Sequence, residues 1–264
     1  MSSYKGHSIF AFILSLILFQ NPLSVALAII GANLPDFDHK IKRMYVIVIC
    51  LVGALVTVIL YHFKLPFYLG IVIISLGLIF LFSSHRGFTH SFLGIILQSL
   101  AIGLMLFLAF QLLIYFNVNN IFDLSNFNNE IIIVCFIVLF IAILFVNKRV
   151  LFVIFLLLIF TIWKFSSFDL SVINCLAPIF LGLFSHMVLD SFTPSGVRPF
   201  IPFSDKKYYK RFGIAMILIL AIIFVILSMD SLNHSVFLIY NSLLGNYYFY
   251  DFSSIFPNIF SEYT

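Results

Sequence analysis

Four of the seven histidines and three of the aspartates, the residue types of this chain most able to bind a metal ion, lie in three short segments. The segments read LPDFDH at 34–39, HRGFTHS at 85–91 and HMVLD at 186–190, and a further histidine, His7, lies near the N-terminus. Imidazole and carboxylate groups together form the ligand set of zinc, manganese or iron sites. Two metal ions about 3.5–4 Å apart need roughly six to eight such groups, and the three segments with His7 supply that number.

The spacing inside each segment suits a shared site. If residues 34–39 are extended, the alternate side chains of Asp36 and Asp38 face one side. His186 and Asp190 are four residues apart, which places them on one face of a helix. Thr89 or Ser91 can cap the long apolar helix that follows, and such a helix N-terminus favours anions. The sequence therefore predicts a metal site wherever the fold brings these segments together.

Simpler roles stay open for several of these residues. A lone His-x3-Asp pair is often a structural hydrogen bond, and a lone Asp-x-Asp is often a surface turn. Arg86 is either an anchor at the membrane surface or a clamp on a phosphate or carboxylate. Arg198 and the basic run 206–211 suit anchoring and lipid-headgroup contact. His39 is either an outer partner of a metal ligand or an ordinary interfacial residue.

The composition of the chain indicates the environment in which such a site would lie. Of 264 residues, 63% are hydrophobic and only 9% are charged, whereas a soluble domain has about 25% charged residues. This excludes a disulfide scaffold, a nucleic-acid-binding domain and a disordered tail, and it predicts an integral membrane protein. The three cysteines lie in apolar runs without metal-ligand spacing, which is typical of small core residues.

Apolar stretches long enough to cross a bilayer, allowing for ragged ends, recur along the chain. They predict an all-α, polytopic transmembrane helix bundle in a single domain, 1–264, with the motifs within 1–205 and a last span and interfacial aromatic tail within 206–264. The predicted spans are 44–61, 66–83, 92–116, 131–146, 150–164, 171–189 and 212–229.

The N-terminal stretch 9–30 allows two interpretations. Gln20-Asn21-Pro22 interrupts it, and Asn-Pro is a turn signal because proline removes a helix donor. Each half is too short to cross about 30 Å of hydrocarbon. The stretch is either one kinked span or a re-entrant pair of half-helices, and His7 reaches the predicted site only in the re-entrant arrangement.

Basic residues predict the sidedness. With seven spans starting at residue 44 and a re-entrant N-terminal stretch, every lysine and arginine except Lys64 and Lys164 falls on one face. Loops rich in lysine and arginine stay in the cytoplasm. The three His/Asp segments map to the same face, so the predicted site is cytoplasmic, at the level of the lipid headgroups.

These motifs, in this order, resemble a known family. A histidine before the first apolar stretch, LPDFDH, HRGFTHS, and His-x3-Asp followed by TPSG at 193–196 and Pro-Phe at 199–200 are similar to the YdjM-type membrane-bound metal-dependent hydrolases. These proteins are also described as LexA-regulated inner-membrane hydrolases. The resemblance covers about residues 1–205.

The resemblance implies a ligand set and a reaction class. Its family is grouped with zinc-dependent phospholipase C-like enzymes, which implies phosphoester hydrolysis. Matching its motifs makes Asp38 a ligand or base, and the implied metal ligands are His7, Asp36, His39, His85, His90, His186 and Asp190. The implied cofactor is one or two divalent ions, zinc first, with manganese or iron as alternatives.

A hydrolase hypothesis assigns roles to the remaining polar residues. A bound metal would lower the pKa of a water molecule towards about 7. Asp38 would act as a general base and Arg86 would stabilise phosphoryl charge, while Arg198, Thr89 and Ser91 are candidates for substrate binding. A site at headgroup level suits a lipid or lipid-linked phosphoester, so the expected partners are membrane lipids.

Two other classes remain. A metal or ion transporter would use polar residues within spans as a pathway, but the ionisable residues here cluster at one depth. A non-enzymatic membrane protein with a structural metal would have a closed coordination shell without an exchangeable water.

Overall fold

A computed structural model of the protein describes residues 4–38, 43–83, 87–116, 129–164 and 172–226. Within these ranges the chain is helical, and the one β-type pairing is an isolated bridge between Val197 and Tyr208. The helices are α1 (Tyr4–Phe19), α2 (Pro22–Asn33), α3 (Arg43–His62), α4 (Tyr68–Phe82), α5 (Phe92–Tyr115), α6 (Asn129–Phe145), α7 (Lys148–Lys164) and α8 (Val172–Ser191), followed by α9 at 210–226.

Each of the seven predicted spans coincides with a helix, α3 to α9, which confirms the all-α membrane bundle. Three helical segments of the described chain are long and apolar enough to cross a bilayer, namely Met44–His62, Phe92–Tyr115 and Asn174–Ser191. Four further apolar helices are shorter. The number of crossings therefore stays a prediction.

The chain divides into two compact units, residues 1–214 and 215–264. All site residues that the structure describes lie in the first unit. The described part of the second unit is the continuation of α9 to residue 226. The prediction of one domain over 1–264 stays a prediction.

The N-terminal stretch is a helical hairpin and not one kinked helix. Gln20 ends α1 in a left-handed conformation, with φ of 50°. The Asn21 side chain then caps α2 by accepting a hydrogen bond from the Leu23 N–H at 2.9 Å, with Pro22 at the first helical position, where a proline loses no hydrogen bond. At the other end Asn33 Nδ2 donates to Ser8 Oγ at 3.0 Å. The end of α2 therefore returns to the start of α1.

Helix α2 forms the centre of the first unit. Every residue from Pro22 to Asn33 is buried, and α2 packs against α1, α6, α7 and α8. A helix that is apolar on all sides is typical of a fully enclosed position. The hairpin is therefore a core element that fixes the neighbouring helices.

Small residues allow α2 and α8 to approach closely. A Cβ atom added at Gly31 would meet the Ile179 carbonyl, and one added at Gly182 would meet the carbonyl oxygen of Ala28. Membrane helices use such residues because their association depends on close van der Waals packing. This contact sets the distance between α2 and α8, and α8 carries two of the predicted metal ligands.

Replacing Gly182 with alanine tests this contact. Alanine is a better helix former than glycine by about 1 kcal/mol, but here its Cβ would collide with backbone, and overpacking costs about 1–3 kcal/mol. We expect Gly182→Ala to lower the thermal unfolding midpoint of the purified protein in detergent.

Gly6→Ala is the matched control. Its added Cβ would lie 3.7 Å from Leu189 Cδ2, an ordinary contact, so this variant should melt at or above the wild-type temperature. A Gly182→Ala protein as stable as Gly6→Ala would show that the α2–α8 contact is not tight.

Candidate metal centre

Five residues from four separate elements converge at one place in the first unit. His7 comes from α1, Asp36 from a 3-10 turn at Pro35–Asp38, His90 from a second 3-10 turn at Phe88–His90, and His186 and Asp190 from α8. Two groups of donor atoms, one from His7, His186 and Asp190 and the other from Asp36, His90 and His186, each lie within 4.8 Å of one another. The predicted convergence of the three segments and His7 is therefore present.

Asp190 is the common partner of the three histidines. Its Oδ1 lies 3.6 Å from His7 Nε2, and its Oδ2 lies 3.5 Å from His90 Nε2 and 3.7 Å from His186 Nε2. The four-residue spacing of His186 and Asp190 thus places both groups on one helical face, as predicted.

The orientation of His186 is fixed by α2. Its Nδ1 lies 2.6 Å from the carbonyl oxygen of Ala32, and because a carbonyl only accepts, Nδ1 must carry the proton and donate. The Nε2 lone pair then points into the cluster, where this fully buried atom has no hydrogen-bond partner among the described residues. A histidine whose second nitrogen donates to a carbonyl is the usual arrangement of a metal ligand.

His90 is held by the turn before α5. Its Nδ1 lies 3.0 Å from Thr89 Oγ1. Ser83 Oγ donates to Thr89 Oγ1 at 3.4 Å and accepts from the Thr89 N–H at 3.2 Å. Gln98 Nε2 donates to the Thr89 carbonyl at 2.8 Å. These contacts leave Nε2 of His90 as the atom that faces Asp190.

His7 lies flat against His186. The two ring centroids are 3.7 Å apart, and the planes differ by 10°. His90 meets His186 edge-on, with centroids 5.0 Å apart. The N-terminal hairpin brings His7 here because Asn33, at the end of α2, is hydrogen-bonded to Ser8 on α1.

The donor geometry fits a metal ion. The four histidine–aspartate separations are 3.5–3.7 Å, longer than typical hydrogen bonds of about 2.7–3.2 Å. Donors bound tetrahedrally at about 2.0–2.2 Å lie about 3.4 Å from each other. The atoms therefore stand at the spacing that a shared cation requires, and three imidazoles with two carboxylates suit zinc, manganese or iron.

The described donors define one ion position. The two donor groups share His186, whose Nδ1 is used by Ala32, so only Nε2 can coordinate. One nitrogen lone pair binds one ion. A second ion would have to be bound by Oδ1 of Asp190 and by His7, together with donors other than His186.

The cluster is buried except on one side. His7, His90, His186 and Asp190 are at most 2% exposed, whereas the Asp36 side chain is 35% exposed. Of these five residues, Asp36 is therefore the one that solvent reaches.

Several predicted site residues are not among these five. His39, His85 and Arg86 lie outside the described residues. The backbone of Asp38 ends the 3-10 turn Pro35–Asp38. Because this segment is a 3-10 turn, the extended arrangement considered for Asp36 and Asp38 does not occur.

The three residues predicted to bind substrate lie close to the cluster in sequence. Thr89 and Ser91 are fully buried. Ser91 caps α5 by accepting from the Gly94 N–H at 3.1 Å and donates to the Phe88 carbonyl at 2.7 Å, so the predicted cap is confirmed. Arg198 is partly exposed, next to the bridge at Val197. Substrate binding by these residues stays a prediction.

Sequence reasoning missed the residues that support the ligands. Ser83 and Gln98 hold Thr89, and the carbonyl of Ala32 orients His186. Gln98 is an amide within the apolar helix α5, where an unsatisfied polar group is costly. A glutamine in an apolar helix was therefore a sequence signal for a structural role, whereas a backbone carbonyl such as that of Ala32 gives no signal in a sequence.

The loop after α8 joins two of the motifs. The Phe92 N–H donates to the Pro199 carbonyl at 2.9 Å, and Val197 and Tyr208 exchange backbone hydrogen bonds. Gly196 has φ of 64°, and an added Cβ would lie 2.7 Å from the Tyr208 carbonyl oxygen. The TPSG sequence therefore forms a tight turn that ties the start of α5 to the end of α8.

Fold and site together define a class of protein: an all-helical membrane protein with a buried His/Asp cluster that could hold a metal ion. The family model described as YdjM inner membrane protein matches residues 1–255. The chain belongs to this family, which confirms the resemblance seen in its motifs. Neither the curated proteins nor the solved structures gave a match.

The Thr89 hydroxyl is expected to set the metal affinity through His90. Thr89→Val keeps the shape of the side chain but removes the hydrogen bond to Nδ1, and loss of such a partner typically costs about 10–100-fold in metal affinity. We expect that loss for zinc, measured by competition with a chelator, and near wild-type affinity for Thr89→Ser.

Thr161→Val is the control, since Thr161 is equally buried and its hydroxyl donates to Leu157 within α7. Equal zinc affinity of Thr89→Val and Thr161→Val would contradict the role of Thr89.

Proposed function

We propose that this protein is a metal-dependent hydrolase that acts at the cytoplasmic headgroup level on a phosphoester carried by a lipid or lipid-linked substrate. The observation that carries the proposal is the convergence of three imidazoles and two carboxylates, four of the five groups being almost fully buried. Such groups are costly within an apolar bundle unless a partner compensates them.

The chain supplies the parts of a hydrolytic site around the metal. His7, Asp36, His90, His186 and Asp190 would hold the ion, which when bound supplies an activated water at neutral pH. The Ala32 carbonyl holds His186 in the tautomer that leaves Nε2 able to coordinate, and Thr89 lies against Nδ1 of His90, so that Nε2 faces the cluster. The Asp36 side chain is partly exposed, and substrate would approach the cluster from that side.

Two further residues complete the proposal. Asp38, two residues beyond Asp36, is the proposed general base, and Arg86, just before the turn that carries His90, is proposed to stabilise charge on the phosphoryl group. Arg198, Thr89 and Ser91 remain the proposed substrate-binding residues.

The position of the cluster in the bundle supports a cytoplasmic site. The start of α1, which carries His7, lies near the start of α7, because Tyr4, Lys148 and Arg149 line one cavity. The cluster is therefore at the end of the bundle that carries these two basic residues. Basic loops are retained in the cytoplasm.

Removing single ligands tests the metal site. We expect His90→Ala and Asp190→Ala to lose metal affinity by about 100-fold or more, because even outer partners contribute about 10–100-fold. Metal bound per chain is measured by mass spectrometry, together with hydrolysis of a phospholipid panel by each metal-loaded protein.

His62→Ala and Asp205→Ala are the matched controls, since both residues are exposed and lie outside the cluster. Unchanged metal content in His90→Ala and Asp190→Ala would contradict the proposed metal site. Bound metal without turnover of any ester would favour a structural metal, and metal flux into proteoliposomes would favour a transporter.

Sidedness is tested by cysteine labelling with a membrane-impermeant maleimide. Cysteines at Asn147 and Lys207, both exposed, should react from the cytoplasmic side of inverted vesicles. Cysteines at Lys64 and Lys164 should react only from the opposite side. Because Cys135 and Cys175 are buried, the parent protein needs only Cys50 replaced. Reaction of positions 147 and 207 from opposite sides of the membrane would contradict the predicted topology.

A further inference from the structure

A cavity of about 700 Å³ is lined by residues of the first unit, none of which belongs to the metal cluster. Its volume is within the range of about 300–1,000 Å³ typical of small-molecule sites. The lining comes from the starts of α1 and α3 and from the α6–α7 connection: Tyr4, Tyr45, Ile143, Leu144, Phe145, Val146, Asn147, Lys148 and Arg149.

The charged residues that line this cavity in the described part of the chain are both basic. They are Lys148 and Arg149. Both cations lie in the first turn of α7, which contains no acidic residue either. Cations at a helix N-terminus oppose the helix dipole, which favours anions there. An anion in the cavity would compensate two basic side chains and the helix dipole together.

The other side of the cavity is apolar. Ile143 to Phe145 form the last turn of α6, and Ile143 is 54% exposed although it belongs to an apolar membrane helix. Tyr4 and Tyr45 also line the cavity, and tyrosine is typical of membrane interfaces because one end of its ring is apolar and the other polar. The cavity thus matches a molecule with a charged head and an apolar tail.

Helix α1 connects this cavity to the cluster. Tyr4 lies three residues before His7, which is about 4.5 Å along the helix axis and on the same helical face. Tyr45, on α3, also lines the cavity, and α3 packs against the 3-10 turn that carries Asp36, the exposed member of the cluster. Helices α1 and α3 therefore each connect a residue that lines the cavity to an element that carries a candidate metal ligand.

We propose that this cavity binds the phosphate-bearing headgroup and first tail carbons of an anionic lipid, with Lys148 and Arg149 on the phosphate and residues 143–145 on the tail. The assignment of this lipid as the substrate rests on the proposed function; the binding site itself does not. A free phosphate ion is also negatively charged, but it would make no contact with the apolar residues 143–145.

The test is titration of the purified full-length protein with dihexanoyl phosphatidic acid, followed by calorimetry. We expect the double variant Lys148→Gln/Arg149→Gln to weaken binding by about tenfold or more, because charge-assisted hydrogen bonds to phosphate are lost. Lys64→Gln/Lys164→Gln removes the same charge from exposed residues that do not line the cavity and should change the affinity less than about twofold.

Two further ligands identify the chemistry. Dihexanoyl phosphatidylcholine and inorganic phosphate should each bind at least about tenfold more weakly than the phosphatidic acid, since each lacks net charge or tail. Equal binding of inorganic phosphate would overturn the lipid assignment, and equal binding by the Lys148/Arg149 double variant would overturn the site.

Metal content measured in the same samples separates this inference from the proposed function. Asp190→Ala should lose metal and keep phosphatidic acid binding, whereas Lys148→Gln/Arg149→Gln should keep metal and lose lipid. A wild-type protein that binds the lipid but no metal would support the cavity and end the hydrolase proposal. Absence of lipid binding by the wild type would end the cavity proposal alone.

Discussion

The structure depends on how an apolar helix bundle accommodates one carboxylate. Asp190 is 2% exposed at the end of α8, where an uncompensated charge is costly. Three histidines from three elements lie within 3.5–3.7 Å of its two oxygens. The hairpin, the 3-10 turn Phe88–His90 and the glycine contacts of α8 all serve to bring those imidazoles to it.

The most buried helix, α2, therefore also positions the candidate metal ligands. Helix α2 contributes no ligand side chain, but its Ala32 carbonyl orients His186, its Asn33 holds α1 through Ser8, and its Gly31 admits α8. A 12-residue helix is too short to span a bilayer, and here it serves as a rigid centre on which the ligands are placed. The stability of the core and the geometry of the metal centre are consequently linked.

The cluster and the cavity have different chemistry. The buried cluster holds donors that suit a metal ion, and among its five residues Asp36 is the exposed one. The cavity is lined by Lys148 and Arg149 and by apolar residues at the end of α6. In the proposed function the cavity would select the substrate by charge and tail, and the cluster would supply the metal-dependent chemistry.

The sequence alone determined the membrane class, the helices and the candidate metal-binding segments, because apolar length and the rarity of histidine and aspartate in such stretches are local properties. The sequence also predicted that His186 and Asp190 share one helical face and that Ser91 can cap α5, since both features depend only on local spacing along a helix. Tertiary structure decided that 9–30 is a hairpin, since Asn-Pro permits either a kink or a turn until Asn33 meets Ser8. It also decided which nitrogen of His186 faces the cluster, because the Ala32 carbonyl that orients the ring lies 154 residues away in the chain, and a backbone carbonyl has no signature in a sequence.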